Sequence, residues 1–249
     1  MATIHATLPA STPGWRALAL AFLLAGCQAV PFPPVANPPA QADQPRLEVG
    51  DSWTYRHTDG YTKLPRGTFT HAITAINGDV VTVEVKAADG SVVATDRYTR
   101  GWGWLERPMT NIQRFRYDPP YAAFQFPLAV DKSWSQYTHA TDVATGKTYD
   151  LARVDGKVSG WQRVTVPAGE FDAIFVRRSA YSGASTFERT QEYISEDDWY
   201  APAVNNVVVG SYRSNYRDKT QNGDNGDNSG WYENIWTLVE LVEYRPARK

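Results

Sequence analysis

The sequence has very little cysteine and lacks a long apolar run. Cys27 is the only cysteine among 249 residues, which excludes an intrachain disulfide and a zinc site built from several thiolates. No run after residue 26 approaches the ~20 apolar residues of a membrane-spanning helix. The chain also lacks an excess of one charge sign: the formal net charge is −2 and no block of basic residues occurs. That balance argues against a nucleic-acid partner.

The start of the chain has the pattern of an export signal. Arg16 precedes the apolar residues 17–24, and small residues follow immediately before Cys27. A short apolar run between a positive residue and small residues is typical of a secretory signal peptide and is too short to span a bilayer. We therefore predict that residues 1–26 are a signal peptide.

The segment Leu24-Ala25-Gly26-Cys27 resembles the bacterial lipobox. This resemblance implies cleavage before Cys27 and acylation of its thiol, so that the membrane becomes a partner through an N-terminal lipid. Gln28, directly after the cysteine, implies sorting to the outer membrane, with the body facing the periplasm. The alternative is an ordinary signal peptide with an incidental cysteine near its end.

Residues 27–46 are predicted to be a tether. Six prolines fall between Gln28 and Pro45. Proline fixes φ and removes a backbone donor, so this composition favours an extended spacer without a core. Residues 47–245 are then predicted to form a single β domain.

The domain sequence predicts an all-β fold without a substantial helix. Residues 68–76 and 79–86 are β-rich runs around Asn77-Gly78, the dipeptide that best suits the central positions of a tight hairpin. Pro119-Pro120 is expected to break the hydrogen-bonded ladder. About a dozen such runs predict a strongly curved antiparallel sheet, half-barrel or sandwich-like. Val-x-x-Ser-Trp occurs twice, ending at Trp53 and Trp134, and suggests two related halves that meet near residues 118–130.

Four segments resemble a group of uncharacterised bacterial exported lipoproteins, which are β-rich domains of unknown function. They are Tyr117-x-Pro-Pro120, Phe126-Pro-Leu-x-Val-x-x-Ser-Trp134, Val164-x-Val-Pro-Ala-Gly-x-Phe-Asp-Ala173 and Trp199-Tyr-Ala-Pro-x-Val-x-x-Val-Val208. The resemblance covers roughly residues 117–210 and implies a sheet distantly similar to the half-barrels of lipoprotein carriers. Those half-barrels have helices over the open mouth, and this chain has no segment of helical periodicity to supply them.

No catalytic or metal-binding motif is recognisable, so we predict no catalytic residue, no metal and no cofactor. His57, His71 and His139 lie singly among strand residues, without the spacing of a zinc site. Glu196-Asp197-Asp198 is predicted to be a solvated turn. Residues 221–230 are rich in Gly, Asn and Asp and are predicted to be a hairpin tip, with a calcium site as the alternative.

One aromatic set is the candidate for ligand binding, with the domain core as its alternative role. Its members are Trp102, Trp104, Tyr121, Phe124 and Phe126. On a concave sheet they would suit an apolar ligand or a sugar ring. We therefore expect a non-enzymatic lipoprotein of the cell envelope that binds or scaffolds an apolar or other envelope ligand.

Two other functions stay open. An envelope glycan hydrolase with paired carboxylates would require Asp197 or Asp198 to converge with another carboxylate beside an exposed tryptophan. A structural role without any ligand is also compatible with the sequence.

Overall fold

The computed structural model describes residues 32–109, 113–182, 189–218 and 231–248. The predicted signal peptide, Cys27, Ile112 and the tract 221–230 lie outside these residues. One 3₁₀ turn, Pro202–Val204, is the single helical element of the described chain. The strands are β1 (Gln41–Ala42), β2 (Ser52–Asp59), β3 (Pro65–Asn77), β4 (Val80–Ala87), β5 (Val92–Thr99), β6 (Trp104–Pro108), β7 (Arg114–Tyr121), β8 (Leu128–Ala129), β9 (Ser133–Asp142), β10 (Thr148–Val166), β11 (Gly169–Ser182), β12 (Arg189–Ala201), β13 (Asn206–Asp218) and β14 (Trp231–Arg245).

Twelve strands form a closed antiparallel barrel, so the expected half-barrel or sandwich is wrong while the all-β class is confirmed. From β2 to β7 and from β9 to β14 each strand pairs with the next, and β7 pairs with β9. The barrel closes because β14 pairs with β2. Closure leaves no edge strand around the cylinder, although β10 extends beyond the end of its partner β9.

Alternation of buried and exposed side chains follows the pattern expected for strands. In β4, Val81, Val83 and Val85 are buried on one face. In β2, Trp53 and Tyr55 are likewise buried on one face. Ser52 and Ser133 begin β2 and β9, as the Val-x-x-Ser-Trp repeat predicts, and both strands belong to the same barrel.

The β3–β4 hairpin is confirmed, but its turn lies one residue later than predicted. Asn77 pairs with Val80, so that Gly78 and Asp79 form the two-residue loop. Gly78 alone has a positive φ, of 60°. Asn77 therefore ends the strand and does not occupy a turn position, because the cross-strand register decides which two residues remain unpaired.

The ladder is broken at Pro119-Pro120 as predicted, because neither proline has a paired residue on β6 or β9, but the strand itself continues. β7 runs through both prolines to Tyr121, which pairs with Trp104. The ladder to β6 shifts register between Trp104 and Glu106. Such an irregularity accommodates residues without an N–H, since they need not donate to the neighbouring strand.

The predicted spacer packs against the barrel from residue 32 onward. β9 pairs with β10 only as far as Lys157, and the N-terminal segment (residues 32–46) continues along the vacant edge. The N–H of Val35 donates to Trp161 O at 3.2 Å, and that of Arg163 donates to Pro33 O at 2.8 Å. Proline is tolerated here because only alternate residues of an edge strand bond to the sheet.

Side chains of the N-terminal segment also pack against the rest of the protein. Phe32 packs edge-on against Trp199, with ring centroids 5.3 Å apart. Gln41–Ala42 forms a two-stranded sheet with Leu128–Ala129, and Ala42 is 2% exposed. The composition of this segment suggested free extension, whereas the unpaired edge of β10 and the aromatic patch beside it provide partners.

Candidate ligand-binding site

One end of the barrel lumen is closed by two segments, residues 122–124 and 202–207, which we call the floor. Backbone carbonyls of the floor accept hydrogen bonds from long side chains of the wall. The indole N–H of Trp53 donates to Val204 O at 2.8 Å, and that of Trp134 donates to Ala122 O at 3.0 Å. The floor is thereby attached to strands on both sides of the barrel.

Above the floor lie two adjoining cavities. The inner chamber has a volume of about 110 Å³, and the mouth cavity about 590 Å³. Val93, about half exposed, lies on the rim of the mouth cavity. The side chains that line both cavities are His57, His71, Arg107, Tyr212 and Val239.

Three members of the predicted aromatic set, Trp102, Trp104 and Phe124, line the inner chamber. Tyr121 and Phe126 are not among its lining residues. Tyr121 stacks on Trp104 at 4.1 Å, and Phe126 packs against the ring of Tyr200. The set therefore comes together as one layer that is both core and cavity wall.

Trp102 reaches the chamber from a turn and not from a strand, contrary to the strand-like alternation of its segment. It lies between β5 and β6 with φ of 60°, a conformation that bulky residues rarely adopt. Its indole N–H donates to Asn205 O at 2.8 Å, and its ring makes edge contacts with Trp53 and Tyr98. These contacts offset the backbone strain.

Glu196-Asp197-Asp198 is not the solvated turn that its composition suggests. It lies in the middle of β12, where Glu196 and Asp198 share the inner face and Asp197 points outward. Asp197 accepts a bidentate pair of bonds from Arg177 on the outer surface, at 2.6 and 3.0 Å. Side chains alternate between the two faces of a strand, so acidic residues that are neighbours in sequence lie on opposite sides of the sheet. The composition alone suggested a single acidic cluster.

The two inner carboxylates share one cationic partner, Arg178. Its guanidinium donates to Glu196 at 2.9 Å, to Asp198 at 2.5 Å and to the floor carbonyl of Ala123 at 2.9 Å. The side chains of Arg178 and of both acids are 1–2% exposed. Each acid thus has a cationic partner in the dry interior, as buried charges require.

Two tyrosines complete this buried charge network. The hydroxyl of Tyr121 donates to Glu196 and that of Tyr212 donates to Asp198, both at 2.7 Å. Burial, together with the nearby carboxylate, holds the pKa of each phenol well above its usual value. Both hydroxyls therefore remain donors at neutral pH.

The two histidines of the lumen are neutral at pH 7. Burial, followed by the positive charge of Arg107, lowers the pKa of His57 to about 4. Burial also lowers the pKa of His71 to about 3, and its Nε2 has no hydrogen-bond partner among the described residues. His139, in contrast, is exposed on β9.

Sequence reasoning considered His57 and His71 only as metal ligands, a role it rejected, and it did not consider Arg107. The alternation of β2 could have placed His57 inside the barrel, because His57 continues the inward series of Trp53 and Tyr55. Arg107 has no such signal, since the register irregularity of β6 breaks the alternation that would place it inside.

Searches for a membrane helix and for a metal cluster were negative over the described part of the chain. No helix there is long and apolar enough to cross a membrane. No group of three His, Cys, Asp or Glu side chains there is arranged to hold a metal ion. The proposed calcium ligands of residues 221–230 lie outside that part.

Several solved structures are similar to this chain over most of its length, each at low identity and with a TM-score below 0.5. A lipoprotein candidate from Parabacteroides distasonis ATCC 8503 is 15% identical, with a TM-score of 0.44 over 84% of this chain and 100% of the other. The hypothetical lipoprotein YmcC from Escherichia coli K12 is 10% identical, with a TM-score of 0.42 over 80% and 86%. An exported-protein candidate with a YmcC-like fold from Bacteroides fragilis NCTC 9343 is 12% identical, with a TM-score of 0.39 over 82% and 99%.

The names of these structures state no ligand or activity. No protein-family model matches the chain, and no curated protein matches it.

Proposed function

We propose that this chain is an outer-membrane-anchored periplasmic lipoprotein whose barrel binds an apolar envelope ligand in its lumen. The observation that carries the proposal is the mouth cavity of about 590 Å³, continued by the inner chamber with its aromatic wall. This volume falls in the range of about 300–1,000 Å³ that is usual for small-molecule sites. Packed cores leave few voids larger than a water molecule, so a space of this size is unusual for a purely structural barrel.

The chemistry of the wall supports an apolar ligand. Phe69, Val85, Ile194, Ile235 and Val239 line the mouth cavity. They come from four different strands, so a ligand in the lumen would contact apolar side chains on several sides. Apolar surface that leaves water there would contribute about 25 cal/mol per Å².

The buried acids favour binding over the glycan hydrolase. Asp198 does converge with a second carboxylate, Glu196, but both are occupied by Arg178 and nearly inaccessible. Trp199, beside them in sequence, is buried and not an exposed sugar platform. A hydrolytic pair needs one carboxylate free to meet water or substrate.

The binding proposal can be tested with the apolar fluorescent probe N-phenyl-1-naphthylamine. The exported, unlipidated Cys27→Ser protein is titrated without detergent, and we expect saturable fluorescence enhancement. Ala94→Trp, in the mouth cavity wall, should reduce the number of bound probes by filling the space. The matched control is Thr95→Trp on the exposed neighbouring residue, which should bind as the parent does. Absence of saturable binding, or equal binding by Ala94→Trp and Thr95→Trp, would refute the proposal.

The anchor is tested separately through Cys27. We expect the native protein to sediment with outer membranes and Cys27→Ser to appear in the soluble periplasmic fraction, because the acyl chains supply the membrane affinity. Mass spectrometry of the N-terminal peptide should find the lipid on Cys27. A Cys27→Ser protein that still sediments after a high-salt wash would contradict the anchor.

A further inference from the structure

We propose that the ligand of this lumen carries an anionic oxygen head group, a carboxylate or a phosphate, which binds Arg107 while its apolar chain occupies the mouth cavity. This inference deepens the proposed function and rests on it. The evidence is the position of the guanidinium, the pairing of every other charge in the mouth cavity wall, and an unpartnered imidazole nitrogen nearby.

Arg107 lies at the junction of the two cavities and lines both of them. Its guanidinium carbon lies 4.1 Å from the ring centroid of Trp104 and 5.8 Å from that of Tyr98. The guanidinium is therefore held by aromatic faces, an arrangement that suits arginine better than lysine. A ligand entering through the mouth cavity would meet this group before it reached the floor.

The hydrogen bonds of Arg107 leave much of the guanidinium unused. Nη1 donates to the hydroxyl of Tyr98 and Nε to the carbonyl of Pro108, both at 3.3 Å. A guanidinium has five N–H groups in a planar fork, and both of these partners are uncharged. The remaining donors match the two oxygens of a carboxylate or phosphate.

The other charged side chains of the mouth cavity wall already have partners. Asp96 is paired with Arg114 at 2.8 Å, and Glu196 with Arg178 at 2.9 Å. Arg66 is paired with Asp59, and Arg213 with Glu233. Among the described residues, no carboxylate forms an ion pair with Arg107, and Asp96 and Glu196 act on its charge only from beyond ion-pair distance.

The surroundings keep Arg107 charged and provide a second donor. Burial acts against its charge, but Tyr98, Asp96, Tyr212 and Glu196 raise its pKa above the usual value. His71 lines the same two cavities, and its buried Nε2 has no partner among the described residues. An imidazole N–H and a guanidinium on one wall can bind the same anionic head group.

A desolvated cation that lacks a direct ion-pair contact is costly, and a bound anion would reduce that cost. The strongest hydrogen bonds in proteins are those between a charged donor and a charged acceptor. An anionic amphiphile should thus bind more tightly than an uncharged amphiphile of the same chain length, while a cationic one should bind worst.

The test compares head groups on one chain length. Dodecanoate, dodecyl phosphate, dodecanol and dodecylamine each displace N-phenyl-1-naphthylamine from the Cys27→Ser protein at pH 7.5. We expect one or both anions to displace the probe at a concentration about ten-fold below that of dodecanol. The stronger of the two identifies the head group as carboxylate or phosphate.

Variants assign the preference to Arg107. Arg107→Gln should bind dodecanol as the parent does and lose the preference for anions. Arg66→Gln, which removes a paired arginine of the same cavity, should keep that preference. If Arg107→Gln does not fold, the head-group comparison on the parent and on Arg107→Lys, which retains the charge, decides the matter.

The outcomes separate the two proposals. Equal displacement by the anions and dodecanol in the parent, or a preference that persists in Arg107→Gln, would overturn the head-group inference and leave lumen binding intact. Failure of the parent to bind the probe would refute lumen binding itself.

Discussion

At the scale of single residues, Arg177 and Arg178 show how much the face of a strand decides. They are chain neighbours on β11, and each is paired with acids of β12. The Arg177 side chain is 60% exposed, whereas that of Arg178 is 1% exposed. The same ion-pair chemistry therefore has a small effect on stability outside the barrel and a large one inside.

Arg178→Met should reduce the free energy of unfolding by about 3–5 kcal/mol, because it leaves Glu196 and Asp198 buried without their cation. Arg177→Met is the matched control and should change it by about 1 kcal/mol or less. Urea denaturation followed by circular dichroism at pH 7 measures both. Equal losses in the two variants would show that the buried network does not stabilise the fold.

At the scale of elements, the N-terminal segment and the floor complete the barrel. Residues 33–35 pair with β10 where β9 no longer does, and β1 pairs with β8 next to the floor. The buried side chain of Ala42 fixes this second contact. The N-terminal segment is thus joined to the barrel well before β2 begins.

Ala42→Glu should destabilise the protein by about 2 kcal/mol or more, because a carboxylate enters an apolar site without a partner. Gln41→Glu places the same side chain on the exposed neighbouring residue and should be nearly neutral. Urea denaturation compares the two, and trypsin should cleave after Arg46 faster in Ala42→Glu than in Gln41→Glu. Indistinguishable cleavage and stability would mean that the β1–β8 contact is dispensable.

At the scale of the whole molecule, the closed barrel surrounds two neutral histidines, and this makes its stability depend on pH. The folded pKa values of His57 and His71, about 4 and about 3, lie below the ordinary value of 6.5. The unfolded chain therefore binds protons first as the pH falls. Their contribution to stability is complete above about pH 6.5 and decreases as the pH falls toward 4.

Between pH 7 and pH 5, each of these histidines should lower the free energy of unfolding by about 2 kcal/mol. The double variant His57→Gln/His71→Gln should lose much of this pH dependence, while His139→Gln, on an exposed residue, should retain it. Urea denaturation at several pH values gives the slopes. A double variant with the slope of the parent would contradict the burial of neutral imidazoles.

Several features were predictable from the sequence because they depend on neighbouring residues. The inward series Val81, Val83 and Val85 follows from the two-residue period of a strand, and the positive φ of Gly78 follows from the needs of a tight turn. The all-β class follows from many such local patterns together. The aromatic set around Trp104 was recognisable as a candidate ligand surface or as core, and three of its members line the inner chamber.

Tertiary structure alone decided the closure of the barrel, the burial of Glu196 and Asp198, and the position of Arg107. Closure depends on β14 meeting β2, strands far apart in sequence, whose register no local pattern encodes. Glu196 is tolerated inside only because Arg178 lies directly opposite on β11. The lumen itself is enclosed by side chains from many strands, so its shape and its unpaired cation exist only once the sheet has closed.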